Sequence, residues 1–316
     1  MQSGLVVVAM SLIVFFGVNV IGDPVHMFVN PEADQAEIER VIRDLGLDRP
    51  IHEQYGYFVL GALEGDLGRS FVFGEPALKL IIQRMPATLE LAFLALLMAV
   101  VIGIPLGLYA GLKPETWTSK TIMAGSILGF SLPTFWVGIM LIMVFAVMLG
   151  WLPSTGRGDT VEIFGLDVSF LTLDGLRHLF LPAFNLALLK ISLVIRLTRA
   201  GTREAVHQDY IKFARAKGLS SRRIVFVHLL RNILIPVVTV LGLEFGSLIA
   251  FSVVTETVFA WPGMGKLLIE SIQQLDRPVI VAYLMMIVFL FVVINLIVDI
   301  LYSVLDPRVR LQDQVA

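Results

Sequence analysis

Six runs of apolar residues constrain this chain more than any other feature. Each is long enough to cross a hydrocarbon core of about 30 Å, which takes roughly 20 residues of helix. The runs are Gly4–Ile21, Ala87–Gly111, Thr121–Gly150, about Leu179–Leu197, about Ile233–Ala260 and about Val279–Leu305. Composition agrees: 57% of the 316 residues are hydrophobic and only 16% are charged, where a soluble domain carries about 25%. An ordinary soluble enzyme and a disordered chain are both excluded. The expected fold class is an all-α polytopic membrane protein with six transmembrane helices.

Several kinds of chemistry drop out next. A net charge of −2 gives no basic surface for nucleic acid. There is no cysteine, so disulfides, thiol chemistry and Cys-ligated metals are excluded. His26, His52, His178, His207 and His228 are far apart and form no HExxH pair. Ser126, Ser131, Ser247 and Ser252 have no base nearby in sequence and read as helix–helix contacts, not nucleophiles. No catalytic, cofactor or metal site is expected, and no GxxxxGK[ST] phosphate loop occurs. ATP, if it drives anything here, is bound with its magnesium by another subunit.

The first run is read as a retained helix. A signal peptide has a basic start and a small-residue cleavage site; here no Lys or Arg precedes the run, and Ile21-Gly22-Asp23-Pro24 is a poor site. Lys and Arg in short loops set the orientation. Loop 112–120 holds Lys113 and Lys120, and the tail 306–316 holds Arg308 and Arg310. Loop 198–232 holds eight: Arg199, Arg203, Lys212, Arg215, Lys217, Arg222, Arg223 and Arg231. The opposite loops, 151–178 and 261–278, hold two each. Both termini and the basic loop are therefore expected in the cytoplasm, and segment 22–86 outside.

Residues 22–86 hold six basic and eleven acidic residues and are too polar to span. Pro31-Glu32-Ala33-Asp34 is a good helix start, with Ile38, Val41, Ile42 and Leu45 recurring after it and Gly46 as C-cap. A second helix is expected over Ile51–Leu63, then a turn at Gly65-Asp66-Leu67-Gly68-Arg69-Ser70. The segment reads as a small helical cap on the outer face, as a docking surface, or as both. Loop 198–232 is long for a connection at 35 residues. It reads as a helix up to Gly218, a glycine break, and a helix Arg222–Leu230 capped by Ser220 or Ser221. Ala214, Ala216 and Gly218 suggest a small-residue face.

Within the runs each charge needs a reason. Glu90, near the outer end of the second, reads as an interfacial group in contact with water. Lys190 and Arg196 can snorkel to the cytoplasm. Glu244 lies near the middle of the fifth run, where snorkelling is hard. Asn295 and Asp299 are four apart and share one helix face, and Asn185 sits in the outer half of the fourth run. A buried pair or hydrogen bond is the plain reading of each. A translocation path is the sharper one, with Glu244, Asn295 and Asp299 as its candidates. Gly103, Pro105 and Gly107 mark a kink or close helix contact, as does Pro133. Trp117, Trp136, Trp151 and Trp261 read as interfacial anchors.

The basic loop carries a specific resemblance. Ala214-Arg215-Ala216-Lys217-Gly218-Leu219-Ser220, then His228-Leu229-Leu230-Arg231-Asn232 and Pro236, resembles the EAA loop of bacterial ABC importer permeases in its dipeptide/oligopeptide/nickel (DppB/OppB-like) form. Against the general pattern Lys212 stands at the Glu, Phe213 at the first Ala, His228 at the Ile and Arg231 at the Pro, while Ala214, Gly218 and Leu230 match. Gly22-Asp23-Pro24, Leu45-Gly46-Leu47-Asp48-Arg49-Pro50, Gly65-Asp66-Leu67-Gly68-Arg69-Ser70, Pro86-Ala87-Thr88-Leu89-Glu90-Leu91, Gly103-Ile104-Pro105-Leu106-Gly107, Thr255-Glu256, Trp261-Pro262-Gly263-Met264-Gly265 and Asp306-Pro307-Arg308 extend it along nearly the whole chain. Relatives usually carry an Arg pair before the first span; its absence points to a start codon placed a little late.

The resemblance implies a type I ABC importer permease fold. It divides the chain into a first transmembrane helix (1–21), a periplasmic segment (22–86), a five-helix core (87–305) containing the EAA loop (198–232), and a cytoplasmic tail (306–316). It implies a coupling helix seated in an ATPase groove, with Tyr210, Phe213, Ala214, Arg215, Ala216, Lys217, Gly218 and Leu219 as coupling residues. The implied partners are a second, homologous permease in a heterodimer, two cytoplasmic ATPases, an extracytoplasmic solute-binding protein and membrane lipid. The implied place is the bacterial inner membrane. The implied cargo is dipeptides or oligopeptides, with glutathione or a nickel chelate as the alternative. A stand-alone secondary transporter is the rival class; such proteins often show internal repeats, and none is clear here.

Overall fold

The computed structural model describes residues 2–20, 34–44 and 48–305. Eleven helices carry almost all of them: α1 (Gln2–Val20), α2 (Gln35–Asp44), α3 (Ile51–Glu64), α4 (Ala77–Leu112), α5 (Trp117–Ser131), α6 (Thr134–Met148), α7 (Leu173–Ala205), α8 (Asp209–Ala216), α9 (Ser221–Val258), α10 (Met264–Gln273) and α11 (Arg277–Leu305). One antiparallel hairpin, β1 (Val161–Ile163) and β2 (Leu166–Val168), sets Val161 opposite Val168 and Ile163 opposite Leu166.

Among the described residues four helices are long and apolar enough to span: α4, α7, α9 and α11. The third expected run is not one straight helix. It is the pair α5 and α6, bent by 108°. Pro133 has no N–H and disfavours helical backbone in the residue before it, and Leu132 is accordingly extended (φ −83°, ψ 136°). Counting the bent pair as one span gives five. The first run forms α1, whose described apolar stretch Val7–Gly17 is shorter than the others. In α6 and α9 the stretches Ile142–Met148 and Ile224–Leu229 are π-helical.

The chain folds as two compact units: residues 1–86 with 262–292, and residues 87–261 with 293–316. In the first unit Ile38, Val41 and Ile42 of α2 are half-buried; the expected cap Gly46 lies outside the described residues. Gly65 ends α3 in the left-handed conformation (φ 81°), with the Asp66 N–H on the Gly61 carbonyl at 2.8 Å. The predicted turn at 65–70 is fastened from a distance. Buried Asp276 accepts from the Ser70 hydroxyl and, at 3.0 Å, from the Phe71 N–H. Phe15, Tyr55 and Phe58 cluster with centroids 5.4 to 6.3 Å apart. Val14 packs with Ile280, Leu268, Val281 and Leu284.

The second unit is organised around α7. Gly103, Gly107 and Gly111, four residues apart on one face of α4, lie against Val194, Ile195, Thr198 and Thr202 of α7. Small residues let two helix backbones approach where van der Waals contact, not water exclusion, drives packing. Helix α4 runs unbroken through Pro105, so this segment is a close contact and not a break. Gly242 of α9 meets Val298 of α11 in the same way.

Candidate functional site

Two regions of the second unit carry the polar chemistry. The first is the basic loop. Its expected single helix is interrupted: α7 runs on to Ala205, a turn follows, and α8 restarts at Asp209. Asp209 in the first turn suits the helix dipole. A hydrogen bond from Lys212 and then its charge lower the Asp209 carboxyl pKa below the usual value. The end of α8 is a Schellman motif. The Leu219 N–H reaches the Ala214 carbonyl at 3.3 Å and the Gly218 N–H the Arg215 carbonyl at 2.9 Å, with Gly218 at φ 73°. Glycine is needed there because a Cβ disfavours that backbone angle. Ser220 then caps α9. The expected helix Arg222–Leu230 is therefore only the start of one helix reaching Val258.

The residues expected to couple separate by face. Ile211 and Ala214, three apart, are buried. Tyr210, Phe213, Arg215, Ala216, Lys217 and Gly218 are exposed, and Leu219 is half-buried. Phe213 is 62% exposed, large for a phenyl ring on a short helix, and Lys217 Nζ lies 4.5 Å from its ring centre. The expected small-residue face does not exist. Positions 214 and 216 lie some 200° apart around a helix, so Ala214 points into the chain while Ala216 points out.

The second region is a layer of polar groups within the helices. Glu244 pairs with Lys190, and the Ser247 hydroxyl lies 2.8 Å from both Glu244 Oε2 and Lys190 Nζ. Lys190 does not snorkel; it is held by the carboxylate. Asn295 is half-buried, with Oδ1 lacking a hydrogen-bond partner among the described residues, and Asp299 is exposed. The hydrogen bonds of Glu244 run to Lys190 and Ser247, not to either of these two. Asn185 donates to Thr255 Oγ1 at 3.1 Å, and Arg196 lies 4.7 Å from the Phe130 ring centre.

Burial overturns two expectations, at Glu90 and Trp261, and reveals a third buried group, Glu256. Glu90 is no water-bathed interfacial group. It is buried and accepts from the Ser169 N–H (2.9 Å) and hydroxyl (2.6 Å), with Arg157 Nη2 at 3.1 Å. Trp261 is no anchor: it is wholly buried, and its indole N–H donates to the Ala87 carbonyl at 2.8 Å. Trp117, Trp136 and Trp151 are exposed. Glu256 was not singled out as a charge, yet it is fully buried and accepts from Thr88 (2.7 Å) and Ser252 (2.8 Å). Its i,i+4 relation to Ser252 was the available signal.

Comparison with known proteins follows the same lines. Residues 103–311 match the family described as binding-protein-dependent transport system inner membrane component. Residues 2–92 match the N-terminal family of such membrane components. The di/tripeptide transport system permease protein DppB of Pseudomonas aeruginosa (strain UCBPP-PA14) is 39% identical over 94% of this chain and 95% of its own length. The dipeptide transport system permease protein DppB of Escherichia coli (strain K12) is 36% identical over 96% and 94%. The glutathione transport system permease protein GsiC of that strain is 38% identical over 95% and 93%. A solved structure of the MetNI methionine ABC transporter in an inward-facing conformation matches with a TM-score of 0.55 at 18% identity, covering 72% of this chain and 96% of that one. That likeness is one of fold.

Proposed function

From the premise that the chain belongs to the family of binding-protein-dependent transport system inner membrane components, as a DppB/OppB-like ABC importer permease, we propose that it moves dipeptides or oligopeptides inward as one half of a permease heterodimer. In this reading two ATPases dock from the cytoplasm on α8, and a solute-binding protein delivers the peptide outside. The chain itself binds no ATP, magnesium or other cofactor. The observation that carries the coupling role is the form of α8. It is a short helix tied inward by Ile211 and Ala214 and ended by Gly218, with Tyr210 and Phe213 exposed.

The side of the membrane is inferred from the placement of the basic residues. The 33 residues of α7 rise about 50 Å, so its ends lie on opposite sides of the bilayer. The end bearing the eight basic residues of 198–232 is assigned to the cytoplasm, and with it both termini. Segment 22–86 is then periplasmic, 1–21 the first span, 87–305 the core and 306–316 the tail. Glutathione, itself a tripeptide, is the second cargo reading. It is favoured by a glutathione permease at 38% identity beside peptide permeases at 36% and 39%. Family membership argues against a stand-alone secondary transporter.

The test is purification of the tagged subunit from its native membrane, with mass spectrometry of what accompanies it. Two P-loop ATPases and a second permease are expected, and the assembly in proteoliposomes should take up dipeptide only with ATP and its binding protein. Recovery of this chain alone, active without ATP, refutes the reading.

A further inference from the structure

We propose that Lys190, Glu244 and Ser247 form a mid-membrane station for the two charged ends of a zwitterionic peptide. Lys190 takes the carboxylate and Glu244 the ammonium. The inference rests on the importer reading above and deepens it.

Depth comes first. Lys190 lies about 26 Å along α7 from Leu173 and about 23 Å from Ala205, and Glu244 lies about 20 Å along α9 from Arg231. Both charges thus sit near mid-bilayer. Their side chains keep 15% and 30% of their surface open. An open charge at that depth facing lipid is strongly disfavoured. The open side of the pair therefore faces water or protein and not acyl chains. Glu256, by contrast, is sealed from solvent among Thr88 and Ser252.

The chemistry follows from the pairing. Lys190 and Glu244 satisfy one another, and Ser247 accepts from the ammonium while donating to the carboxylate. The resting site is neutral. A lone cation that takes Glu244 strands Lys190, and a lone anion strands Glu244; either leaves an uncompensated charge in a poorly solvated place. A zwitterion supplies both charges at once, so only it can exchange with the pair without a stranded ion. The termini of an extended dipeptide lie about 7 Å apart, so it fits by parting the two side chains. The station thereby passes free-ended peptides and resists leakage of inorganic ions.

The test uses the complete importer in proteoliposomes, with its binding protein and a labelled dipeptide, comparing the wild type with the double variant Lys190→Met/Glu244→Gln. The reading is peptide moved per ATP hydrolysed. A ten-fold or greater fall in that ratio is expected. An unchanged ratio, whether both activities persist or both fall together, makes the pair structural and overturns the inference. Wild-type importer with no ATP-driven dipeptide uptake overturns the underlying function as well. A second measurement uses the absence of cysteine from this chain. Ser247→Cys in the assembled importer should react with a membrane-impermeant anionic methanethiosulfonate, read by the mass of this chain. Reaction only with a lipid-soluble maleimide places the site in lipid and overturns the station.

Discussion

Replacing Gly107 by alanine tests whether the contact of α4 with α7 is as tight as it looks. A Cβ at Gly107 would lie 2.7 Å from the Ile195 carbonyl oxygen and 2.7 Å from Thr198 Cβ, where carbon contacts are relaxed at about 3.5–4.0 Å. The helices must part by about 1 Å, because a backbone carbonyl cannot rotate aside. At Gly103 the nearest obstacle is Val194 Cβ, also at 2.7 Å, and at Gly111 it is Thr202 Cβ at 2.5 Å; a Cβ moves only with its backbone, so these two positions are as closed to an added methyl as Gly107. Overpacking costs about 1–3 kcal/mol, and alanine returns about 1 kcal/mol of helix propensity. Gly107→Ala should thus lose up to about 2 kcal/mol. Gly125 on α5 has nothing within 4 Å of its Cβ position, so Gly125→Ala should keep the propensity gain. Heating the purified assembly in detergent, then measuring the monodisperse fraction by fluorescence-detected size exclusion, ranks the variants. The expected order is Gly125→Ala above wild type, and Gly107→Ala lowest. Equal midpoints for Gly107→Ala and Gly125→Ala would refute the close-contact reading.

Three further outcomes follow from single contacts. Glu90→Ala leaves Arg157 and the Ser169 donors without their carboxylate, a loss of about 3–5 kcal/mol for a broken buried pair; Glu90→Gln, which still offers an acceptor to Ser169, should lose less in the same heating assay. Asp276→Ala removes the acceptor of the Phe71 N–H and the Ser70 hydroxyl, so amide exchange at Phe71 should rise about 5- to 150-fold, the equivalent of about 1–3 kcal/mol; unchanged exchange would show that the loop holds itself. Gly218→Pro cannot adopt φ 73°, so it should uncouple ATP hydrolysis from uptake while the subunit still inserts, and normal uptake would count against α8 as the joint.

Local chemistry made some of this fold legible. Pro133 announced the break between α5 and α6, Gly65 the end of α3 and Gly218 the end of α8, because each acts on its own backbone. The spans were legible because lipid demands long apolar runs. What stayed hidden depends on residues far away in the chain. Glu90 looks solvent-bathed until Ser169, 79 residues on, closes over it. Lys190 looks free to snorkel until Glu244, 54 residues on, captures it. Trp261 stands at the end of an apolar run, where an indole is ordinarily an anchor, and only the Ala87 carbonyl, 174 residues back, gives its N–H a reason to be inside. The imagined small-residue face on α8 failed for a geometric reason: alternate residues share a face in a strand and not in a helix.

On the reading proposed above, the position of α8 in the chain links the joint to the charged station. It stands between α7, which carries Lys190, and α9, which carries Glu244, so each half of the ion pair rides on one flanking helix. Lys190 is about 23 Å along α7 from the joint, and Glu244 about 35 Å along α9 from Ser221. A tilt of about 5° at the joint moves a point 23 Å away by about 2 Å, within the range of helix shifts in switching proteins. Added to a contact of hydrogen-bond length, that takes the charges beyond the 4 Å of an ion pair and opens the station to a peptide. The measurement is the rate at which Ser247→Cys reacts with the anionic reagent, in the nucleotide-free importer and in one held with ATP on hydrolysis-deficient ATPases. At least a five-fold difference in rate between the two states is expected. Equal rates would mean that the closing of the ATPases never reaches Lys190 and Glu244, and that the pair and the joint are neighbours in sequence alone.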